Sequence, residues 1–233
     1  QILPDGGQFE LSPMYHALAL EDLLDLVNIA HAFGRKDLAQ GWGIPVAAML
    51  DWLGKMTHPD GGIAFFNDAA FGIAPETRHL FEYATRLGFA PPPTPKGLCH
   101  LAESGYARLS AGSVVAFLDL ARIGPDHLPG HAHADTLSFE LSLLEQRIFV
   151  NSGTSLYGTG PERLRQRGTA AHNTVVVAGQ NSSEVWSGFR VARRARVDAV
   201  VIAETPTALN VTARHDGYTR LSRGSMHRRD WQL

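Results

Sequence analysis

Apolar residues near the start of the chain recur three or four positions apart, as they do on the buried face of an α-helix. Examples are Leu20, Leu24 and Val27. Ser12 and Pro13 form a favourable helix start, because serine caps the first turn and proline fits its first position. Gly34 is a suitable stop. Two more helices are predicted over residues 45–56 and 75–87, each bounded by proline or a turn cluster. The pattern indicates paired helices that lie side by side.

Beyond the proline-rich segment 90–95, the pattern changes to the two-residue alternation of β-strands. Strands are predicted over residues 113–118, 137–143, 147–150, 173–177, 194–202 and 208–213. Helices first and strands later predict an α+β protein, with a helical domain at residues 1–95 and a strand-rich domain at residues 96–233. The chain starts without methionine and stops inside a strand pattern, so we expect it to be truncated at both ends.

Composition narrows the class of partner. Hydrophobic residues make up 44% of the chain, charged residues 19%, and the net charge is -2. This balance predicts no general attraction to nucleic acid or to an anionic membrane, and no apolar run is long enough for a membrane span. It leaves room for an acidic sugar polymer, because a few arginines in a cleft can bind one. The single cysteine, Cys99, excludes an intrachain disulfide.

A dense histidine cluster carries the strongest chemical signal. His131, His133 and Asp135 alternate just before a predicted strand, so their side chains can converge on a metal ion or a substrate. His172, at the start of another predicted strand, is a candidate third member. A metal-dependent hydrolase is one interpretation of this cluster, and it requires a tightly bound metal with an open coordination position. Thr136, rather than histidine, follows Asp135, which weighs against a metallo-β-lactamase-like site.

Several segments together resemble the heparinase II/III-like family over nearly the whole chain and in the family's order. They are Ser12–His16, Gly61–Asp68, Gly130–Asp135, Leu137–Leu141, Asn151–Thr154, Arg163, Arg167, Ala171–Val175 and Trp186–Val191. The resemblance implies the carboxyl-terminal part of an incomplete α/α toroid, followed by an antiparallel β-sandwich with the active cleft between them. It implies a lyase that cleaves uronic-acid glycans, such as glycosaminoglycans or alginate, by β-elimination without an organic cofactor.

The resemblance also assigns roles in proton transfer and substrate binding. Tyr15 matches the family's tyrosine and is the candidate acid, or both acid and base. His131 matches the family's catalytic histidine. Candidate substrate-binding residues are His16, Arg163, Arg167, Asn173 and Trp186. Arginine suits an acidic polymer because it binds carboxylates through paired hydrogen bonds, and tryptophan can stack on a sugar ring. Arg193, Arg194 and Arg196 are expected on a solvated strand face.

A structural zinc ion is the one inorganic cofactor that the resemblance implies. His133 and His172 match positions that bind zinc in some members, and the third position corresponds to Asn151. An amide is a weaker zinc ligand than the aspartate usual there. Two other interpretations therefore stay open: hydrogen bonding of the histidines within the sheet, and replacement of the missing carboxylate by Asp135.

A non-catalytic, carbohydrate-binding relative of the lyases is the second functional interpretation. The family's carboxylate-neutralising Asn or His lies upstream of the tyrosine, and Tyr15 stands near the start of this chain. If these 233 residues act alone, we expect little or no lyase activity. The oligomeric state and compartment stay open; the resemblance implies a bacterial periplasm or cytoplasm.

Overall fold

Helices fill the first part of the chain in the computed structural model, which describes residues 1–221 and 223–233. The helices are α1 (Pro13–Ala32), α2 (Lys36–Gly43), α3 (Val46–Lys55) and α4 (Thr77–Arg86). Ser12 caps α1 as predicted, since its Oγ accepts the backbone N–H of Tyr15 at 3.2 Å. Gly34 follows the helix with φ of 66°, a conformation that favours glycine. The sequence prediction missed α2, because two glycines interrupt its short apolar pattern.

In the part of the chain that the structure describes, ten strands follow, and all their pairings are antiparallel. They are β1 (Gly97–Leu101), β2 (Tyr106–Ala111), β3 (Val114–Asp119), β4 (Phe139–Leu143), β5 (Gln146–Phe149), β6 (Val185–Trp186), β7 (Arg190–Val191), β8 (Val197–Thr205), β9 (Ala208–His215) and β10 (His227–Gln232). Strands β1 to β5 form one sheet in chain order, β8 to β10 form a second with β9 in the middle, and β6 pairs with β7. The predicted α+β class is confirmed.

The five-stranded sheet buries both faces, and the two-residue alternation decides which partner each side chain meets. Tyr106 and Phe117 point to one face and pack against Trp52 of α3. Leu109 and Leu118 point to the other face and share a core with the second sheet. The sheet therefore lies between the helices and the second sheet, and the loops at its edge can carry side chains from both halves into one place.

Two sequence predictions in this region are wrong. Residues 173–177 form no strand; they follow a 3₁₀ turn at Thr169–Ala171 and run as an irregular segment. The reason is that Asn173 uses its side-chain amide to donate to the carbonyls of Phe139 and Val150, which fixes the segment across the ends of β4 and β5 without a ladder. The sequence pattern also predicts no helix between residues 150 and 173, whereas the structure has a short one, α5 (Pro161–Arg167), which carries Arg163 and Arg167.

The helices also bear on membrane topology. In the residues that the structure describes, no helix combines the length and the apolar character that crossing a bilayer requires.

Candidate active site

Tyr15 and His131 meet where the first turn of α1 faces the loop before β4. Their rings stack at 4.0 Å between centroids with an interplanar angle of 6°. A second tyrosine, Tyr157, places its hydroxyl 2.6 Å from that of Tyr15. Glu10 completes the group, because one of its carboxylate oxygens lies 3.6 Å from Nδ1 of His131. Three groups able to carry a proton therefore lie together, and a carboxylate stands beside the imidazole.

Burial keeps one of these hydroxyls protonated. The pKa of Tyr157 is raised above its ordinary value, first by partial burial and then by the hydrogen bond to Tyr15. Tyr157 can therefore donate its proton to the Tyr15 oxygen. The Tyr157 side chain is nevertheless 45% exposed, so the pair lies at an accessible surface. The ring of Phe189 packs beside that of Tyr157, with the two centroids 5.5 Å apart.

Asp68 is the centre of a buried polar network beneath this surface. Its carboxylate accepts paired hydrogen bonds from Arg163, one of them at 2.8 Å, and further bonds from Nε2 of His133 and Oγ1 of Thr154, each at 2.7 Å. Its backbone carbonyl accepts the Ser12 hydroxyl at 2.5 Å. Burial alone would raise the pKa of Asp68, but the bonds to His133 and Arg163 outweigh it and lower the pKa to about 2. Asp68 is therefore a carboxylate that joins the helical part to the histidine loop.

The two predicted substrate-binding arginines do not reach the surface. Arg163 and Arg167 are both 0% exposed. Arg163 pairs with Asp68, and Arg167 donates to the backbone carbonyls of Ala132, Ser187 and Arg190. Direct substrate binding by either arginine is therefore wrong. Instead, the guanidinium N–H groups of the two arginines hold the carbonyl of Ala132, which follows His131, and carbonyls of the turn between β6 and β7.

Nitrogen atoms of His133 and His172 face each other in the same buried layer. His133 Nδ1 lies 3.3 Å from His172 Nε2, and Asn151 Oδ1 lies 3.3 Å from the other ring nitrogen of His172. Asp68 and Asn151 offer acceptor oxygens to the outer ring nitrogens, Nε2 of His133 and Nδ1 of His172. When these outer nitrogens carry the protons, the two inner nitrogens present lone pairs that point at one another. The pKa of His172 is held well below its ordinary value, first by burial and then by His133. The lowered pKa favours a neutral His172 imidazole, whose inner nitrogen can present a lone pair toward His133.

This arrangement fits a metal ion. Two nitrogens bonded at about 2.0–2.1 Å to a tetrahedral ion lie roughly 3.3 Å apart, which matches the distance between the facing nitrogens. One carboxylate oxygen of Asp135 joins the group, with the three donor atoms within 4.8 Å of one another. Asn151 stands beside the outer nitrogen of His172, so its place is that of an orienting partner rather than a ligand, and its Nδ2 has no partner. The carboxylate that the sequence lacks at residue 151 is therefore available from Asp135.

The other three candidate substrate-binding residues have different surroundings. His16 is 0% exposed, stacks on Trp52 and bonds the carbonyl of Met49, so its assignment to substrate binding is wrong. Burial lowers the pKa of His16 to about 4, so it stays neutral in the helical core. Asn173 spends its amide on backbone carbonyls, as described above. Trp186 is 54% exposed on β6, and its role in sugar stacking stays a prediction.

Sequence reasoning missed three residues of this site. Asp68 is not among the predicted site residues, although a polar Asn67-Asp68 pair between apolar neighbours is a signal of buried polar contacts. Tyr157 is the one aromatic residue in a segment of small residues, a second usable signal. Glu10 gave no signal, because only the folded chain brings it to His131.

A second buried histidine contact holds the two halves of the chain together. His58, from the loop after α3, donates from Nε2 to Glu140 of β4 at 2.9 Å and accepts the Ser142 hydroxyl at Nδ1 at 2.7 Å. Glu140 also accepts the backbone N–H groups of Phe65 and Asn151. None of the His58, Glu140 and Ser142 side chains reaches solvent appreciably, so this serine–histidine–glutamate group is structural and fixes Asn151 beside His172.

Comparison with known families accounts for both halves of the chain. The family model described as "Heparinase II/III-like, C-terminal" matches residues 93–233, and "Heparinase II/III N-terminus" matches residues 1–86. The join between the two matches coincides with the proline-rich segment that separates helices from strands.

Individual relatives agree with these matches. A heparin-sulfate lyase of Bacteroides stercoris is 25% identical over 235 residues, which covers 92% of this chain and 35% of that protein. A heparin-sulfate lyase of Pedobacter heparinus is 27% identical over 206 residues, covering 78% of this chain and 30% of that protein. The crystal structure of heparan sulfate lyase HepC from Pedobacter heparinus covers 100% of this chain and 37% of its own, with a TM-score of 0.72 and 21% identity. The chain thus spans about a third of the length of these relatives.

Proposed function

Because the chain belongs to the heparinase II/III-like family, we propose that it is the carboxyl-terminal part of a lyase that cleaves sulfated, uronic-acid-containing glycans by β-elimination. The observation that carries the proposal is the stacked Tyr15–His131 pair with the Tyr157 hydroxyl 2.6 Å from that of Tyr15. Two relatives named as heparin-sulfate lyases support an acidic polysaccharide as the substrate class.

Each proton of the elimination has a candidate carrier in this group. One group removes the proton at C5 of the uronate, the C4–O4 bond breaks as a C4–C5 double bond forms, and an acid protonates the departing oxygen. Tyr15 is the proposed acid, since its hydroxyl lies 2.6 Å from that of Tyr157, whose side chain reaches the surface. His131 is the proposed second carrier, and Glu10 beside Nδ1 orients its ring and stabilises a positive charge there.

The buried layer supports these groups from below. Asp68 holds the backbone before α1 through the bond of its carbonyl to Ser12, and it holds the histidine loop through the bond of its carboxylate to His133, so one residue helps to set the distance between Tyr15 and His131. Such support matters because small displacements of reacting groups cost large factors in rate. A substitution at Asp68 is therefore expected to lower activity without touching substrate.

We further propose that His133, His172 and Asp135 hold a zinc ion whose role is structural. Asp68 and Asn151 would orient the two imidazoles from their outer nitrogens, as partners of metal-bound histidines commonly do. An ion there would neutralise Asp135, whose pKa burial raises above its ordinary value. Metal content of the purified protein, measured by mass spectrometry with and without His172→Ala, tests this proposal independently of activity.

The architecture proposed for the complete protein is an incomplete α/α toroid followed by an antiparallel β-sandwich. In this chain the toroid would supply residues 1–95 and the sandwich residues 96–233. Helix α4 ends at Arg86 and the first strand begins at Gly97, which supports that division.

Absorbance of the unsaturated uronate tests the proposed reaction. We would incubate the full-length protein with heparan sulfate, other glycosaminoglycans and alginate, and record the ultraviolet band of the conjugated double bond. The expected result is a rise on sulfated glycosaminoglycan that Tyr15→Phe and His131→Ala each abolish. Binding without any rise would overturn the lyase and favour a carbohydrate-binding protein.

A further inference from the structure

A second concave surface lies in the strand-rich half, away from Tyr15 and His131. It encloses about 600 Å³, and three loops form its walls: those after β3, after β7 and between β9 and β10. Its charged lining residues are Arg122, Arg193, Arg194, Arg196, Arg220, Asp126 and Asp216. With Glu184, which binds Arg193, three carboxylates face the five arginines, so this arginine cavity keeps a net positive charge that favours an anion.

Two of the arginines are already neutralised and shape the walls. Arg193 forms paired hydrogen bonds with Glu184 at 2.8 and 2.6 Å. Arg194 bonds the carboxylate of Asp126 at 2.9 Å and the carbonyl of the same residue at 3.0 Å. The Arg194 contact ties the loop after β7 to the loop after β3, and the Arg193 contact ties it to the segment before β6.

The other three arginines are less well compensated: Arg220 has one long ion pair, with Glu184, and the side chains of Arg122 and Arg196 have none among the described residues. Arg220 is only 16% exposed at its side chain, yet it donates to the carbonyls of Asn181, Ser182 and Gly217, and its nearest carboxylate is 3.9 Å away. Arg122 and Arg196 are exposed, and within the described residues neither side chain forms an ion pair. A partly buried guanidinium that is bonded only to carbonyls favours a mobile anion nearby. The planar donors of the exposed pair can bind its oxygens in pairs.

The loops of the cavity also lead to the candidate active site. The loop that carries Arg122 continues to His131, and the segment before Arg193 contains Phe189, which packs against Tyr157. Two of the loops that wall the arginine cavity therefore also carry residues of the candidate active site or of its surroundings.

We propose that the arginine cavity is a binding subsite for the sulfate or carboxylate groups of the glycan, at a sugar other than the one that is cleaved. This inference rests on the proposed lyase function for the identity of the glycan. It assigns to Arg122, Arg196 and Arg220 a role in holding the chain and none in the reaction. Arg193, Arg194 and Arg196, which the sequence pattern places on a solvated strand face, would then line an anion-binding site.

The test removes the two exposed, unpaired arginines together. Titration calorimetry would measure binding of a size-defined sulfated uronate oligosaccharide to the full-length protein and to Arg122→Ala/Arg196→Ala, over a series of salt concentrations. We expect Kd to increase on the order of tenfold and the slope of log Kd against log salt to fall by about two, one for each lost charge contact. A double variant on α4, Arg78→Ala/Arg86→Ala, removes the same charge from exposed positions and should leave both quantities unchanged.

Cleavage by the same variants separates the two proposals. If the cavity variant binds like the α4 control, the subsite is refuted, whether or not the protein cleaves the glycan. If the cavity variant alone binds weakly, the subsite is supported. If the binding loss then occurs in a protein that forms no unsaturated product, the lyase proposal fails while the subsite stands. In a cleaving protein we expect KM for a long chain to rise on the order of tenfold with kcat unchanged.

Discussion

Replacing Asp68 by asparagine removes the charge on which the buried network depends. The change leaves the Arg163 guanidinium, which is 0% exposed, without its carboxylate. The N–H groups of Arg163 and His133 would then face either the amide N–H₂ group of asparagine or its carbonyl oxygen, which is a weaker acceptor than a carboxylate. Removing one partner of a buried ion pair costs about 3–5 kcal/mol. We expect Asp68→Asn to lower the free energy of unfolding by that amount.

The pKa of Asp68 provides a second estimate and a pH signature. Its folded pKa is about 2 against an ordinary value of 3.8, which corresponds to about 2 kcal/mol in favour of the ionised folded state. Because the folded pKa is the lower one, this contribution is fully present above pH 3.8 and is lost as the pH falls through about 2. The stability difference between the native protein and Asp68→Asn should therefore be constant near neutral pH and shrink in strong acid.

Urea unfolding followed by circular dichroism measures both quantities. Asp198→Asn is the matched control, since it breaks an ion pair with Arg214 in which both side chains are about half exposed, and such pairs contribute at most about 1 kcal/mol. The double variant with Arg163→Met should lose less than the sum of the two single changes, because it removes both charges. A loss at Asp68 no larger than at Asp198 would refute the role given to the buried network.

Three further changes test other parts of the account. Glu140→Gln removes the charged acceptor of one imidazole and two backbone N–H groups, so urea unfolding should show a loss of about 2–4 kcal/mol. Gly153→Ala places a methyl group 2.5 Å from the carbonyl oxygen of Ala69 at φ of 65°, and a loss of about 2 kcal/mol or more is expected from the same measurement. Tyr157→Phe removes the hydroxyl beside Tyr15, and steady-state kinetics should show kcat lowered on the order of tenfold or more with KM little changed.

Each of these three predictions has an outcome that would contradict it. Unchanged stability of Glu140→Gln would mean that the contact between helices and sheet tolerates loss of its buried charge. Gly179→Ala is the control for Gly153→Ala, since Gly179 has a similar φ of 68° but open space around it; equal losses would show that strain, and not the close approach, is decisive. Full activity of Tyr157→Phe would remove Tyr157 from the proposed proton pathway.

Much of the helical half could be predicted from local signals, because capping and apolar spacing act within a few residues. The Ser12 cap and Gly34 stop of α1 are confirmed for that reason. The short helix α2 carries a weak apolar pattern and is held by packing on its neighbours, which no local signal reports. The predicted strand at 173–177 failed because Asn173 bonds distant carbonyls and keeps the segment out of a ladder.

Predictions for the site were limited by contacts between residues far apart in sequence. The resemblance pointed to Tyr15 and His131, and the structure places them in contact. Arginine was assigned to substrate because it suits acidic sugars, but burial turned Arg163 and Arg167 into internal supports. That outcome depends on Asp68, which lies 95 positions from Arg163. Spacing along the chain cannot reveal such a pair, whereas the histidine alternation in an extended segment can be recognised locally.

The central claim is that Tyr15 and His131 carry protons in an elimination, and the origin of the product's oxygen tests it most directly. The full-length protein would digest a sulfated uronate oligosaccharide in water enriched in heavy oxygen, and mass spectrometry would measure the label in each product. We predict unlabelled reducing ends beside unsaturated, unlabelled non-reducing ends, all lost in Tyr15→Phe. Saturated products that carry one heavy oxygen would mean hydrolysis and would contradict the account.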